Sequence, residues 1–403
     1  LLISFIKFIC FLLKKRSYDF IIIDDGSRKY NNQESINPKF YHLIQYLKDS
    51  NRILILNTSK DNRLSGNIDS CTFLNISFLQ YLGKITSFFL YFSHNDNKVF
   101  EEISLIIHQC LDFKISPKTL KKDFIERSYV QYKFFRILMS RLKIKAVLLC
   151  DNGSYKGLYE AARYNNIDSV DFQHSLMSKF NILYTYKDTI KKESIIAPAK
   201  IFTFGEYWTK EYSIPTKIVP VGFPFFESKK KELLDKAVEE IIPGYIKENT
   251  FLIISSMHSG LLLAKIVIDL ANRLPEYRFI YKLRKDEYKI WKYSYPKEFQ
   301  ENKQIIVIDT DEIDLYQLYR ISNYQIGINS TAILEGIPFH LTTFIIKDGW
   351  YKEMQSLVDF GYATFVQTAY EIIKNMNNSD FMNSDFNSFF KKHSLVNIEK
   401  ELK

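Results

Sequence analysis

Cysteine, glycine and proline are scarce in this chain of 403 residues, with 4, 13 and 10 copies. The four cysteines lie far apart and form no CxxC pair, which argues against a zinc site and against a disulfide framework. Three of them lie in or beside apolar runs, so we expect buried free thiols in a reducing compartment. The four are Cys10, Cys71, Cys110 and Cys150. The shortage of glycine and proline, beside abundant Ile, Asn, Lys, Tyr and Phe, indicates an AT-rich genome more than a particular chemistry.

Long apolar runs are also missing. The run at the N-terminus covers thirteen residues, 1–13, and contains Lys7, whereas a membrane-spanning helix needs about 20 apolar residues. Its basic residues follow the apolar part, whereas a secretory signal carries them in front. The sequence therefore favours a helix that packs on the protein or touches a membrane over a cleaved signal. Residues 73–92 are rich in aromatics but broken by polar residues, which predicts an amphipathic helix.

Positive charge exceeds negative charge, with a formal net charge of +9. Such an excess suits an anionic membrane surface, a phosphorylated substrate or a nucleic acid. Residues 114–145 are strongly basic, with apolar residues interleaved at helical spacing. This pattern fits a solvated helix face or a helix that binds anionic lipid; no signature of a nucleic-acid-binding module accompanies it, so we expect no nucleic-acid partner. The basic residues are Lys114, Lys118, Lys121, Lys122, Arg127, Lys133, Arg136, Arg141, Lys143 and Lys145.

The 46% of hydrophobic residues excludes a disordered chain, and the length suggests two domains. Apolar runs of strand length alternate with helical patterns on both sides of residue 228. This alternation predicts an α/β fold with two Rossmann-like doubly wound domains, 1–227 and 228–403, that face a central cleft. We also expect the last helix to pack back on the first domain. The predicted strands are 19–24, 52–57, 145–150, 168–173, 200–204 and one from 217, then 250–256, 278–283, 305–309, 324–328 and 341–346.

Polar residues follow the predicted strands of the first half, where doubly wound sheets bind their ligands. Asp24 and Asp25 follow the first strand, Asp151 follows the strand at 145–150, and His174 follows the strand at 168–173. Asp25 and His174 are candidate general bases, with Asp24 as an alternative. Capping of a loop, or a hydrogen-bonded strand end, would also explain these residues.

Two loops of the second half carry groups suited to a phosphorylated ligand. In "SSMHSG", Gly260 allows close approach of the backbone to a ligand, and His258 lies two residues before it. In "FIYKLRK", Lys282 and Arg284 could neutralise a diphosphate. Surface loops would explain both segments equally well.

The segment "YQIGINSTAILEGIPF" runs from a strand through Ser330 and Thr331 into a helix that carries Glu335. The hydroxyls could cap the helix, which is worth about 1 kcal/mol. They could instead leave the amides of the first turn to an anion, with Glu335 placed to reach ribose hydroxyls. The triplet "DTD" at 309–311 has the form of a metal-binding motif, but the helix that follows favours capping, and we expect no metal.

The order of the segments "DFQHS", "AKIFTFGEYWTKEY", "IVPVGFPFFE", "FLIISSMHSG", "FIYKLRKDE" and "IGINSTAILEGIPF" resembles that of GT-B-fold bacterial glycosyltransferases. The similar group builds capsule and lipopolysaccharide, and it includes Kdo, sialic-acid and polyglycerolphosphate-type transferases. The resemblance covers about residues 140–365. The chain departs from the pattern where Ser175 replaces a glycine and where Arg284-Lys285 stands in place of His-Pro.

The resemblance implies a role for each matched residue. Ser330, Thr331 and Glu335 would bind the phosphate and ribose of a nucleotide-sugar donor. Lys282 and Arg284 would stabilise the leaving phosphate. His258 and Gly260 would line the donor pocket, and Asp25 or His174 would deprotonate the acceptor. The site residues so assigned are Asp25, His174, His258, Gly260, Lys282, Arg284, Ser330, Thr331 and Glu335.

The implied activity is inverting, metal-independent transfer of a sugar to a saccharide or lipid-linked acceptor of surface polysaccharide, without a cofactor. The enzyme would be cytoplasmic and peripheral on the membrane, through 114–145. Three other functions stay open. They are a nucleotide-sugar 2-epimerase, a polyol-phosphate transferase, and a two-domain sugar-binding protein without enzymatic activity.

Overall fold

Two parallel sheets form the protein, which is described here as a computed structural model. The structure describes residues 2–13, 17–24, 37–58, 71–90, 94–151, 153–174, 176–181, 183–187, 189–209, 213–234, 242, 246–256, 258–377 and 388–403. Most strands are runs of buried apolar residues on both faces, as expected when helices cover a parallel sheet on both sides. The prediction of an α/β fold with two doubly wound halves is confirmed.

The first sheet has seven strands in the order β3-β2-β1-β4-β5-β6-β7, all parallel. Its strands are β1 Phe20–Asp24, β2 Ile53–Asn57, β3 Cys71–Asn75, β4 Ala146–Leu149, β5 Asp168–Phe172, β6 Lys200–Thr203 and β7 Lys217–Pro220. The second sheet has six parallel strands in the order β10-β9-β8-β11-β12-β13. They are β8 Thr250–Ile254, β9 Arg278–Lys282, β10 Ile305–Ile308, β11 Tyr324–Gly327, β12 Thr342–Ile346 and β13 Thr364–Val366.

Helices connect the strands. In the first half they are α1 Leu2–Leu12, α2 Pro38–Leu47, α3 Leu79–Phe89, α4 His94–Leu111, α5 Pro117–Phe124, the π-helical turn Ile125–Tyr129, α6 Val130–Arg141, α7 Lys156–Tyr164 and α8 Pro224–Leu234. In the second half they are α9 Gly260–Arg273, α10 Trp291–Ser294, α11 Lys297–Glu301, α12 Leu315–Arg320, α13 Thr331–Gly336, α14 Gln355–Asp359, α15 Ala369–Asn375 and α16 Ser394–Leu402.

The direction of connection reverses once in each sheet. In the first sheet the chain builds outward from β1 to β3 and then continues with β4 on the other side of β1. In the second sheet the same reversal falls between β8 and β11. Because neighbouring connections diverge there, the carboxyl ends of these strand pairs frame a crevice, which is where ligands of doubly wound sheets bind.

Two elements link the halves. Helix α8 lies between α2 and α12, where Lys229 forms an ion pair of 3.0 Å with Asp314. The C-terminal segment returns to the first sheet, and Glu401 of α16 accepts from the amino group of Lys217 at 3.2 Å. The predicted boundary between residues 227 and 228 falls inside α8, so its position stays a prediction.

Two expectations about the first half were wrong. The predicted helix over 73–92 begins only at Leu79, because Cys71–Asn75 is the edge strand β3, half-buried along its length. The cysteines are free, but none is buried: Cys10 and Cys110 are exposed and the other two are partly exposed. Cys10 lies on the outer face of α1, and Cys110 lies on α4, which packs mainly against α5.

Helix α1 confirms the predicted N-terminal helix. It buries Phe8 and Phe11 and exposes Ile6 and Ile9. Among the helices that the structure describes, none is long and apolar enough to cross a membrane.

Candidate functional site

The loops that follow β8 and β11 lie at the reversal point of the second sheet, and they hold four of the predicted donor residues, one of which is His258. Gly260 begins α9 after β8, and Ser330 and Thr331 begin α13 after β11. The two strands are hydrogen-bonded neighbours, with Ile253 paired to Ile326. The structure therefore brings these segments together at the carboxyl edge of one sheet.

Ser330 is the N-cap of α13. Its Oγ accepts from the backbone N–H of Ala332 at 3.3 Å, so helix capping is present. Glu335, one turn on, is partly buried and accepts a hydrogen bond from the hydroxyl of Tyr316. Burial, reinforced by the Glu335 carboxylate, raises the pKa of Tyr316 well above its ordinary value, so the phenol stays a donor. Tyr316 thereby fixes the position of the carboxylate.

A buried carboxylate, Glu287, fixes the loop after β8. Its Oε1 accepts from Ser255 Oγ at 2.9 Å and from the Tyr295 hydroxyl at 2.6 Å, and its Oε2 accepts from the backbone N–H of Arg284 at 2.9 Å. A Cβ at Gly260 would lie 2.2 Å from the Tyr295 hydroxyl, so only glycine fits beside this network. The hydrogen bonds thus hold the loops after β8 and β9 in one arrangement.

His258 and Arg284 present their side chains from these two loops. His258 is exposed, and Arg284 is 60% exposed, with its Nε 3.5 Å from Asp286. Both side chains are accessible to a ligand at the edge of the sheet.

Lys282 lies deeper than expected. Its amino group donates to the Tyr288 hydroxyl at 2.8 Å and to the carbonyl of Thr310, and burial lowers its pKa. The amino group therefore holds the loop after β10 in position. Its contact with a leaving phosphate stays a prediction.

The acids of the "DTD" triplet point to different partners. Asp309 accepts from Trp291 Nε1 at 2.9 Å, and Asp311 pairs with Lys285 at 2.8 Å. The cap of the following helix is Asp314, whose carboxylate accepts from the N–H of Tyr316. Within the described part of the chain, no three His, Cys, Asp or Glu side chains are grouped so that they could hold a metal ion.

A cavity of about 600 Å³ occupies the reversal point of the first sheet. It is lined by residues at or just beyond the carboxyl ends of five strands, namely Ile23, Thr58, Ser77, Asp151 and His174. Helix α3 contributes Gln80 and Lys84, and the π-helical turn contributes Glu126 and Arg127. Its volume lies within the range of ordinary ligand sites.

The three candidate bases differ in what the structure shows of them. His174 lines the cavity, and its backbone carbonyl accepts from Lys39 Nζ at 2.6 Å. Asp24 is buried and accepts from the backbone N–H of Asn37 at 3.0 Å, which ties β1 to the start of α2. Asp25 lies outside the described residues, so its role as a base stays a prediction.

Sequence reasoning missed a buried acid near Asp151, which lines the cavity. Asp171 in β5 is fully buried, and its Oδ2 accepts from the Tyr184 hydroxyl at 3.4 Å. Burial, and then the nearby Asp151 carboxylate, raise the pKa of Asp171 to about 8. Lys156 interacts electrostatically with both acids, and burial lowers its pKa. The signal was an acid inside an apolar strand, "SVDF", a position that only a special environment tolerates.

Comparisons with known proteins give a fold. No protein-family model and no curated protein matches the chain. The UDP-GlcNAc 2-epimerase from Neisseria meningitidis bound to UDP-GlcNAc is 13% identical with a TM-score of 0.56, over 96% of this chain and 99% of that chain. The UDP-GlcNAc 2-epimerase from Methanocaldococcus jannaschii is 14% identical with a TM-score of 0.53, again over 96% and 99%. A structure described as the glycotransferase of kitacinnamycin is 11% identical with a TM-score of 0.50, over 96% and 95%.

The identities are low, so the likeness shows a shared fold and no more. The fold is the two-domain, GT-B-like arrangement of Rossmann-type sheets, and it extends over nearly the whole length of all three proteins. It includes the first 140 residues, which the sequence resemblance did not reach.

Proposed function

We propose that the protein is an enzyme that acts on a nucleotide-activated sugar. The nucleotide would bind at the reversal point of the second sheet, with Ser330 and Thr331 at the phosphates and Glu335 at the ribose. Arg284 and His258 are accessible at the same edge, where a guanidinium can neutralise a phosphate without a metal. The similar epimerase structure bound to UDP-GlcNAc supports a uridine nucleotide.

We propose that the reaction is transfer of the sugar to an acceptor. The observation that carries this choice is the cavity of about 600 Å³ in the first half, because it lies at a second reversal point and gives room for a second substrate. His174, on the cavity wall, or Asp25, would accept the proton of the acceptor hydroxyl. We propose a saccharide or a lipid-linked saccharide as the acceptor and surface polysaccharide synthesis in the cytoplasm as the setting, on the sequence resemblance.

A 2-epimerase is the second candidate, and the comparisons favour it. Two of the three structures reported above are UDP-GlcNAc 2-epimerases, and both match over almost their whole length. Such an enzyme needs no acceptor, so the first-sheet cavity would hold only the sugar of the one substrate.

Incubation of the purified protein with UDP-N-acetylglucosamine alone separates the two reactions. Under the transfer proposal, proton NMR shows no conversion to UDP-N-acetylmannosamine. When a panel of octyl glycosides is added, mass spectrometry finds a product one sugar heavier. Conversion of the nucleotide sugar without acceptor would establish epimerisation and end the transfer proposal.

The test variant is His174→Ala, which alters the cavity wall and leaves the proposed nucleotide site intact. We expect it to lower transfer at least tenfold while the affinity for the nucleotide stays within twofold of wild type.

A further inference from the structure

Helix α3 carries an apolar face that points to solvent. Tyr81, Ile85, Phe88 and Phe89 recur at i, i+4, i+7 and i+8, so they share one side of the helix. Phe88 is 82% exposed and Phe89 is 70% exposed. The opposite side packs on the protein: a Cβ at Gly83 would lie 3.0 Å from Glu126 Cα. Large aromatic side chains in water at this density mark a binding surface.

Helix α1 extends this apolar surface, because Phe5 of α1 contacts Phe78, the residue before α3, with ring centroids 5.4 Å apart. Helix α4 also exposes an apolar side, with Val99, Ile103 and Ile106, while its other side meets α5. The apolar surface of α3 therefore continues onto α1, and α4 carries a separate exposed apolar side.

A segment that holds nearly all the net charge of the chain contacts α3. Residues 114–145 hold ten basic and two acidic residues, a net +8 of the chain's +9. They form α5, the π-helical turn and α6. Lys122 lies 3.9 Å from Glu126, which accepts from Ser87 Oγ of α3 at 3.0 Å, so the basic segment and α3 are in contact.

We infer that the exposed face of α3, together with the basic segment 114–145, binds an anionic membrane surface. Aromatic side chains would enter the headgroup region, and lysine and arginine side chains would meet the lipid phosphates. A symmetric dimer through the same face is disfavoured, because it would bring two segments of net +8 together.

The location of α3 relates this membrane contact to the first-sheet cavity. Gln80 and Lys84 of the same helix line the first-sheet cavity, so a membrane at the outer face of α3 would lie beside that cavity. A lipid-linked acceptor could then reach the cavity without leaving the membrane. This last step rests on the proposed transfer, whereas the membrane contact does not.

Co-sedimentation with vesicles tests the contact. We expect the protein to sediment with vesicles of 70% phosphatidylcholine and 30% phosphatidylglycerol in 50 mM salt, and to remain in solution with pure phosphatidylcholine. The double variant Phe88→Ser/Phe89→Ser should bind at least tenfold more weakly. Lys118→Ala/Lys122→Ala should also lose affinity, by roughly fivefold for each lysine.

Matched controls remove equally exposed groups from the other half of the molecule. Tyr293 and Tyr370 are 91% and 64% exposed, and Tyr293→Ser/Tyr370→Ser should bind vesicles like wild type. The inference is overturned by absence of binding to the anionic vesicles. It is also overturned by unchanged binding of Phe88→Ser/Phe89→Ser, or by a dimer in ultracentrifugation that the same variant dissociates. Nucleotide binding, measured separately, reports on the proposed function independently of these outcomes.

Discussion

At the scale of single residues, the protonation of the buried Asp171 carboxyl makes the stability of the fold depend on pH. Burial raises its pKa to about 8, so the carboxyl is largely protonated at neutral pH. An unfolded aspartate has a pKa of about 3.9. At pH values between these two pKa values, Asp171 is protonated in the folded protein and ionised in the unfolded chain. The stabilising contribution is therefore complete below about pH 4 and is lost as the pH rises through about 8.

Asp171→Asn should remove this pH dependence. The difference in the free energy of unfolding, variant minus wild type, is expected to increase with pH by up to about 1.4 kcal/mol per unit between pH 5 and pH 7. Urea unfolding at pH 5, 6 and 7 measures it. Tyr184→Phe, which keeps the carboxyl, should retain the dependence of wild type. A variant-to-wild-type difference that does not change with pH would show that Asp171 is ionised in the fold.

At the scale of elements, glycines allow the C-terminal segment to return to the first sheet. A Cβ at Gly205 would lie 2.2 Å from the carbonyl of Ser388, and a Cβ at Gly222 would lie 2.3 Å from the carbonyl of Lys391. Gly222 also has φ of +103°, which side chains rarely adopt. Beyond these contacts, Trp208 Nε1 donates to the carbonyl of Phe389 at 3.0 Å. The strand–glycine pattern at Gly205 thus serves close backbone packing.

Gly222→Ala should therefore destabilise the protein more than the same change at a glycine of positive φ in open space. Gly349 has φ of +54°, and a Cβ added there would meet no described atom within 4 Å, so Gly349→Ala should cost only the conformational strain, about 1 kcal/mol. Gly222→Ala adds a collision with the C-terminal segment, for a further cost of about 1–3 kcal/mol. Equal urea midpoints for the two variants would mean that the segment does not pack at Gly222.

The elements that the sequence predicted well are the buried ones. Strands such as Thr250–Ile254 are continuous apolar runs bounded by polar loops, and their ends were predicted to within two residues. The edge strands Cys71–Asn75 and Thr364–Val366 are half-buried, and the second has only three residues, so their patterns carried little signal. The Glu287 network was also missed, because Ser255, Glu287 and Tyr295 meet only through tertiary packing.

At the scale of the whole molecule, each sheet has one reversal point, and such points are where doubly wound sheets bind their ligands. The order of strands decides this, and the alternation of strands and helices allowed the two halves to be predicted. The sequence could not predict which side chains are already engaged. Lys282 braces a loop and Glu335 is held by Tyr316, contacts that depend on packing between distant segments. Helix α8 and the C-terminal segment then join the halves.

Calorimetric titration of nucleotides tests the central claim, that the second reversal point binds the nucleotide of an activated sugar. The panel is UDP, GDP, CDP, dTDP and CMP. We expect at least one to bind and Glu335→Gln to weaken its binding at least fivefold, since the ribose loses a carboxylate acceptor. Tyr316→Phe keeps that carboxylate but removes the hydrogen bond that positions it, so it should weaken binding less than Glu335→Gln does. If no nucleotide binds to the wild-type protein at millimolar concentration, the claim is contradicted.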